Sequence, residues 1–458
     1  MNKICLEVKE KGSCDSRGLK MLTAGFLILF GLIINSVAQD PDSLELYFNQ
    51  YRFDQVIQCL SGREDGNLAT GDLVYRAASL KALRKYELAL LAYEELLRRD
   101  TAQIKIILDL SGTYKELGNY IKTIELLEYG LQLEDSNDYI RTELGDACFT
   151  DNRYRKAIDH YQYIFHRDTS FYLARQLARS YEGIDEKDSA IAYYRIALSY
   201  NASDFLSTYR LADIYRDMEE YPEGMALTDT FLLHDPENIR MLKLSGYLHY
   251  LSQDYEISSH QFTRCHVLGD QSDFINKYLG YSYFRLKEFE KAKDFLEKAF
   301  ENDTLNANLC YALGVSCYSS VYKKSGIDYL NKCLELLEPS PEFVSLVYQD
   351  LGAAYTGYYQ YEDAFDAYFQ ALKLTPSDTL LVFKMASHCD NFLNDKHLAI
   401  RYYEKFMETR SGKKESFPRM PLPGQLVISY YDYAERRLRE LKEELFWEGE
   451  KPDSIFNN

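Results

Sequence analysis

A small residue returns every 34 positions along this chain. Ala77, Ser111 and Gly145 are 34 apart, Ala178, Ala212, Gly246, Gly280 and Gly314 keep that step, and Gly352 and Ala386 repeat it. A fixed period of this length marks supersecondary units that cannot bury their apolar faces alone and stack on one another to do so. It overrides the roughly three domains that the length alone suggests. A stack of this kind presents a long lateral surface, so the architecture points to binding before any motif is considered.

The unit that begins at Asp273 shows the chemistry of one step. Leu279, Gly280 and Tyr283 share one helical face, a polar turn follows at Lys287-Glu288, and Phe289, Ala292, Leu296, Ala299 and Phe300 form a second apolar stripe at helical spacing. So short a connection makes the two helices antiparallel. Gly280 and Ala292 let their backbones approach, Ala299 leaves room for the following unit, and Asp303-Thr304 is placed to cap the next helix. Leu351-Gly352, Tyr355, Tyr361, Ala364, Tyr368, Ala371-Leu372 and Pro376 repeat the pattern, as do Leu177-Ala178, Tyr181, Ala190, Tyr194 and Ala197-Leu198.

This pattern resembles the tetratricopeptide repeat. Ten units are read, starting near residues 70, 104, 138, 171, 205, 239, 273, 307, 345 and 380. The resemblance implies an all-α fold, a right-handed superhelical solenoid of antiparallel helix pairs with terminal capping helices. Thr123, Ser258 and Gly326 stand where the family carries alanine, and all three remain small. Four extra residues around Pro339-Ser340-Pro341 separate two units and are expected to bend or loosen the stack.

The ends read differently from the repeats. Residues 1–38 read as a signal peptide: a basic stretch ends at Lys20, a 13-residue apolar run spans Leu22 to Ile34, and Ser36-Val37-Ala38 suits cleavage before Gln39. The run is short of the ~20 residues of a membrane span. Export, with a periplasmic location, is the expectation, and an uncleaved N-terminal anchor is the alternative. Residues 39–69 suggest a degenerate hairpin cap, 70–408 the solenoid, 409–424 a proline-rich linker, 425–448 a capping helix and 449–458 a disordered tail. The capping helix, from about Gln425 to Trp447, is expected to turn Arg436, Arg437, Arg439, Glu440, Glu443 and Glu444 to water.

Composition narrows the function. With 53 Lys and Arg against 71 Asp and Glu the net charge is −18, which repels nucleic-acid phosphates and anionic lipid. Seven cysteines remain after residue 38, an odd number; Cys148, Cys265, Cys317 and Cys333 fall at core positions and read as buried small hydrophobes. His249, His260, His266 and Cys265 share one unit without a compact ligand spacing, so neither a metal nor another cofactor is expected. No nucleophile elbow, P-loop, zinc-protease or dinucleotide motif occurs, and the chain is read as non-enzymatic.

By the same resemblance, the second, fifth, ninth and twelfth residues of each unit line the concave face. In three adjacent units these include Arg240, Lys243, Tyr247 and Tyr250, then Phe274, Lys277, Tyr281 and Phe284, then Tyr311 and Tyr318. Lys243 and Lys277 share one position, and Tyr247 and Tyr281 another, which makes a ladder of aromatics flanked by cations. Such residues favour anchoring contacts. Tyrosine at the ninth position departs from the asparagine of the family's carboxylate clamp. Packing between units is the competing reading of these rings. The chain is therefore expected to be a protein- or peptide-binding scaffold of the bacterial cell envelope. A carbohydrate-binding module using stacked tyrosines, or a non-catalytic subunit of an envelope enzyme complex, is the alternative. Neither the partner nor the oligomeric state is legible.

Overall fold

The computed structural model describes residues 41–100, 102–336, 340–409, 419–421 and 427–448. The signal-peptide reading of residues 1–38, most of the linker and the tail lie outside them. The chain divides into two compact units at Ser207–Thr208. In the first, α1 (Pro41–Asn49) and α2 (Phe53–Cys59) precede four longer pairs, α3 (Thr70–Ala82) with α4 (Tyr86–Arg99), α5 (Ile104–Glu116) with α6 (Tyr120–Leu133), α7 (Asp138–Thr150) with α8 (Tyr154–Phe165), and α9 (Phe171–Gly183) with α10 (Lys187–Tyr200). Leu44 and Val56 from the short α1–α2 pair, with Leu60 just after it, join Leu73 and Ala77 in one core.

The second unit takes in most of α11 (Phe205–Asp217), then α12 (Tyr221–His234), α13 (Ile239–Leu251), α14 (Tyr255–Val267), α15 (Asp273–Arg285), α16 (Phe289–Phe300), α17 (Ala307–Ser319), α18 (Lys323–Leu336), α19 (Pro341–Gly357), α20 (Tyr361–Leu374), α21 (Thr379–His388), α22 (Lys396–Glu408) and α23 (Tyr430–Trp447). Consecutive helices pack on one another from α1 to α10 and from α12 to α23, the stacked-pair arrangement that the 34-residue step implies.

One contact recurs inside the pairs. The small residue on the first helix faces a large one 16 positions later on the second. A methyl group built on Gly280 would stand 2.7 Å from Leu296 Cγ and 3.1 Å from its backbone nitrogen, so only glycine lets α15 and α16 approach this closely. Ala77 and Tyr93, and Ala178 and Tyr194, are buried at the same offset.

The turn between the helices of a pair also recurs. The first helix ends in a left-handed residue, Arg84, Asn152, Asp185, Glu219, Gln253, Lys287 or Tyr359, and in one pair Gly118. The next amide reaches back five residues: Lys85 N–H donates to Leu80 O at 2.9 Å, Asp254 to His249 at 2.8 Å and Glu288 to Tyr283 at 2.9 Å. This closing bond satisfies a carbonyl that the helix end leaves orphaned. The α17–α18 turn lacks it. Ser320 there has φ −100° and ψ −148°, and the side chain of Lys323 donates to Tyr318 O instead.

Four expectations change. The cap of α17 is Asn306, whose Oδ1 accepts from Leu309 N at 3.1 Å; Asp303 instead takes the Asn306 amide at 2.8 Å. The extra residues near Pro341 become an added first turn of α19, with Pro341 at its start where no amide is needed. The last helix starts at Tyr430, capped by Ser429, because Val427–Ser429 pairs antiparallel with Arg419–Pro421. Arg437 is half-buried rather than turned fully to water. It grips Asp390 in the π-turn Cys389–Leu393, an irregularity that adds one residue between α21 and α22.

Candidate functional site

The first helices of four successive pairs, α13, α15, α17 and α19, each touch the next. An open groove of about 700 Å³ runs along them. On α15, Phe274, Tyr278, Tyr281 and Arg285 recur at three- and four-residue intervals, which aligns them on one face. Tyr247 and Tyr250 of α13 meet that face, and Tyr311 of α17 continues it. The added turn of α19 supplies Phe343, whose ring centroid lies 5.3 Å from that of Tyr311, and Leu346 stands one turn on. The four-residue insertion thus builds one wall of the groove.

Tyr278 is the hub of the aromatic floor. Its ring centroid lies 4.7 Å from Phe274, 4.8 Å from Tyr247, 5.2 Å from Tyr250 and 6.1 Å from Phe262. Most of these contacts are edge-to-face or tilted, a favoured aromatic geometry. Burial pushes the phenols of Tyr250, Tyr278 and Tyr281 up, further from ionisation than a free tyrosine.

Of the ten residues named from the sequence, Tyr247, Tyr250, Lys277, Tyr281, Phe284 and Tyr311 line the groove. The other four are placed elsewhere. Arg240 is exposed and does not line it, and Phe274 packs against Tyr278 and Phe262. Lys243 is tied to Asp270 at 2.9 Å and lies 5.4 Å from the Phe274 ring centre. Tyr318 donates to Asp350 Oδ1 at 2.9 Å while Tyr311 donates to its Oδ2 at 2.7 Å. Burial raises the Asp350 carboxyl against the pull of these two donors. The ladder is therefore less cationic than its sequence, since Lys277 also faces an acid, Asp303 at 3.5 Å. Each acid sits in the turn after the second helix, 26 or 27 residues beyond its lysine, where the chain passes the fifth position again.

Tyr278, Arg285, Asn306 and Phe343 were not anticipated as lining residues. Tyr278 lies four residues after Phe274 on the same stripe, and that spacing was the available signal. Phe343 was hidden because its segment read as a loosening insertion.

The histidines and Cys265 of this region do not converge. His266 lies against the Phe295 ring at 5.5 Å, and the Cys265 thiol is pushed up to about 12 by burial. Cys148, Cys317 and Cys333 are likewise buried. Among the described residues no group of three His, Cys, Asp or Glu side chains could hold a metal ion, and no helix is long and apolar enough to cross a membrane. His249 is buried between Asp254, at 3.3 Å, and Asp229, at 3.6 Å. Burial acts to lower its pKa, but the two carboxylates outweigh it and the net shift is upward. A folded pKa above the unfolded value gives stability that is complete below about pH 6.5 and fades as pH rises through the folded pKa. Amide protection in α13 and α14 is expected to fall from about pH 6.5 upward, and His249→Gln to remove that dependence. An unchanged pH profile in the variant would dismiss the pair of carboxylates as its cause.

A family profile described as Tetratricopeptide repeat matches residues 279–304, across α15 and α16. No curated protein matches the chain. Among solved structures, YrrB, described as a TPR protein with an unusual peptide-binding site, is similar at 16% identity and TM-score 0.37, covering 41% of this chain and 95% of its own. The Cut9–Hcn1 hetero-tetramer of APC/C is similar at 15% identity and TM-score 0.35, covering 86% and 82%. The C-terminal part of a TPR repeat-containing protein from Cytophaga hutchinsonii is similar at 18% identity and TM-score 0.36, covering 44% and 78%. The profile falls on one helix pair, α15–α16, whose close contact, left-handed turn and 34-residue step the neighbouring pairs reproduce, so a tetratricopeptide repeat is shown at residues 279–304 and its pattern recurs along the described pairs.

Proposed function

We propose that this protein is a non-enzymatic interaction scaffold whose groove along α13, α15, α17 and α19 receives an extended peptide segment of a partner protein. The observation that carries the reading is the groove itself, an open aromatic floor walled by a helical turn that the other pairs do not have. Clustered tyrosines with adjoining polar groups are the residues that anchor protein contacts. A sugar ligand would stack on open ring faces. Here Tyr247 and Tyr250 meet Tyr278 at 61° and 72°, turning edges and faces into one another, which favours side chains inserted between rings. The cell-envelope setting of the scaffold rests on residues 1–38 alone.

The Tyr247→Ala, Tyr281→Ala, Lys277→Glu variant is expected to lose at least one partner that the wild-type chain captures, with its far-ultraviolet circular dichroism retained. A folded variant that keeps every wild-type partner would sink the groove reading.

A further inference from the structure

The charge of the groove runs against the charge of the chain. Acids outnumber bases 71 to 53 overall, yet none of the fourteen residues lining the groove is an aspartate or glutamate, while Lys277 and Arg285 are among them. Two carboxylates that touch lining residues are already engaged. Asp303 is shared by Lys277 and the Asn306 amide, and Asp350 is held by the hydroxyls of Tyr311 and Tyr318. Arg285 is exposed and makes no ion pair among the described residues; its guanidinium lies 5.8 Å from the Tyr255 ring centre. It also bonds the Tyr250 hydroxyl, which leaves a guanidinium without a carboxylate partner at the edge of an apolar groove, a planar fork with donors to spare for one. Lys277 has one carboxylate at 3.5 Å, which leaves further ammonium donors for a second.

The polar supply is also one-sided. The phenols of Tyr250, Tyr278 and Tyr281 are pushed further from ionisation, and the exposed amide of Asn308 has no hydrogen-bond partner among the described residues. Such a groove offers donors to carbonyl and carboxylate oxygens. Its length follows from the helices. Three steps between neighbouring helices of about 9 Å each match about eight residues of extended chain, whose side chains alternate between floor and rim.

We infer that the occupant of the groove is an extended internal segment in which aliphatic residues alternate with aspartate or glutamate, the aliphatic side chains between the rings and the carboxylates on Arg285 and Lys277. The inference rests on the peptide-binding reading above and names the chemistry of the partner. The net charge of the chain repels such a segment at a distance, so its recognition is local to these two cations and does not depend on a free C-terminal carboxylate.

Three acetylated and amidated eight-residue peptides, with leucine alternating with glutamate, serine or lysine, test this by fluorescence anisotropy against the full chain. The glutamate peptide is expected to bind at least tenfold more tightly than the serine peptide, with the lysine peptide weakest. Arg285→Glu, at an exposed position that leaves the fold intact by circular dichroism, is expected to abolish the preference for glutamate over serine. A serine peptide with a free C-terminus is expected to bind no better than its amidated form. Serine binding as tight as glutamate overturns the inference while leaving a peptide groove, and so does a gain from the free terminus. If none of the three binds, the inference falls, and the capture experiment with the triple variant judges the groove reading separately.

Discussion

Gly326→Ala is expected to cost about 3 kcal/mol in the α17–α18 pair, although alanine is the better helix former by about 1 kcal/mol. The methyl carbon would stand 2.7 Å from the backbone nitrogen of Tyr318, 2.8 Å from its Cβ and 2.9 Å from the carbonyl oxygen of Gly314. Two of these three atoms are backbone and none is the far end of a flexible side chain, so relief requires the helices to part. Gly314 on the facing helix makes the same demand, since its own methyl would meet Leu330 Cγ at 2.8 Å. The corresponding positions in other pairs hold Ala89, Ala157, Ala190, Ala292 and Ala364, which shows that α17 and α18 lie closer than the repeat requires. Long repeat arrays do not unfold in one step, so the cost is read from amide exchange in α17 and α18 against the neighbouring pairs. Gly71→Ala, where a methyl group meets nothing within 4 Å, is the control and is expected to be neutral or stabilising. Protection in Gly326→Ala equal to wild type would show that the pair adjusts freely.

Arg437→Ala is expected to remove about 3 kcal/mol from the C-terminal packing. Arg437 holds Asp390 with two parallel bonds, Nε to Oδ2 at 2.8 Å and Nη2 to Oδ1 at 2.9 Å, and its Nη1 reaches Glu444 at 3.1 Å. The Asp390 side chain is only 4% exposed, so the variant strands a carboxylate where water cannot solvate it. Around this pair Phe406 stacks on Tyr431 at 4.5 Å, and Ala434, Leu441 and Leu445 join the core of α21 and α22. Loss of the pair therefore loosens α23 as a body. The Asp390→Ala, Arg437→Ala double variant is expected to cost about 2 kcal/mol less than the sum of the single variants. Additive costs, measured by urea unfolding followed at the α23 amides, would reduce the pair to a surface contact.

The repeat was legible because burial acts on residue size at a fixed spacing. Gly280 facing Leu296 is a steric requirement, and steric requirements leave a periodic trace in sequence. The left-handed turns left a weaker one, because Arg84, Glu219 and Lys287 adopt a conformation that glycine would signal. The groove was legible where it followed the helical stripe, at Tyr247, Lys277 and Tyr281. It was not legible where it depended on neighbours far along the chain. Nothing local to Lys243 announces Asp270, and nothing local to Arg437 announces Asp390, which a π-turn carries to it. The wall at Phe343 failed for another reason: an insertion flanked by prolines reads equally well as a break and as the start of a longer helix.

A surface that repeats without error offers a ligand equivalent footing at every step, so a bound segment could slide from one pair to the next without loss. The 38-residue interval between Gly314 and Gly352 ends that degeneracy. The extra turn it contains sets Phe343 on Tyr311 and gives the groove a wall that the neighbouring described pairs do not repeat. Four residues thus give this stretch of the rail an address of its own, and with it a register for whatever docks there.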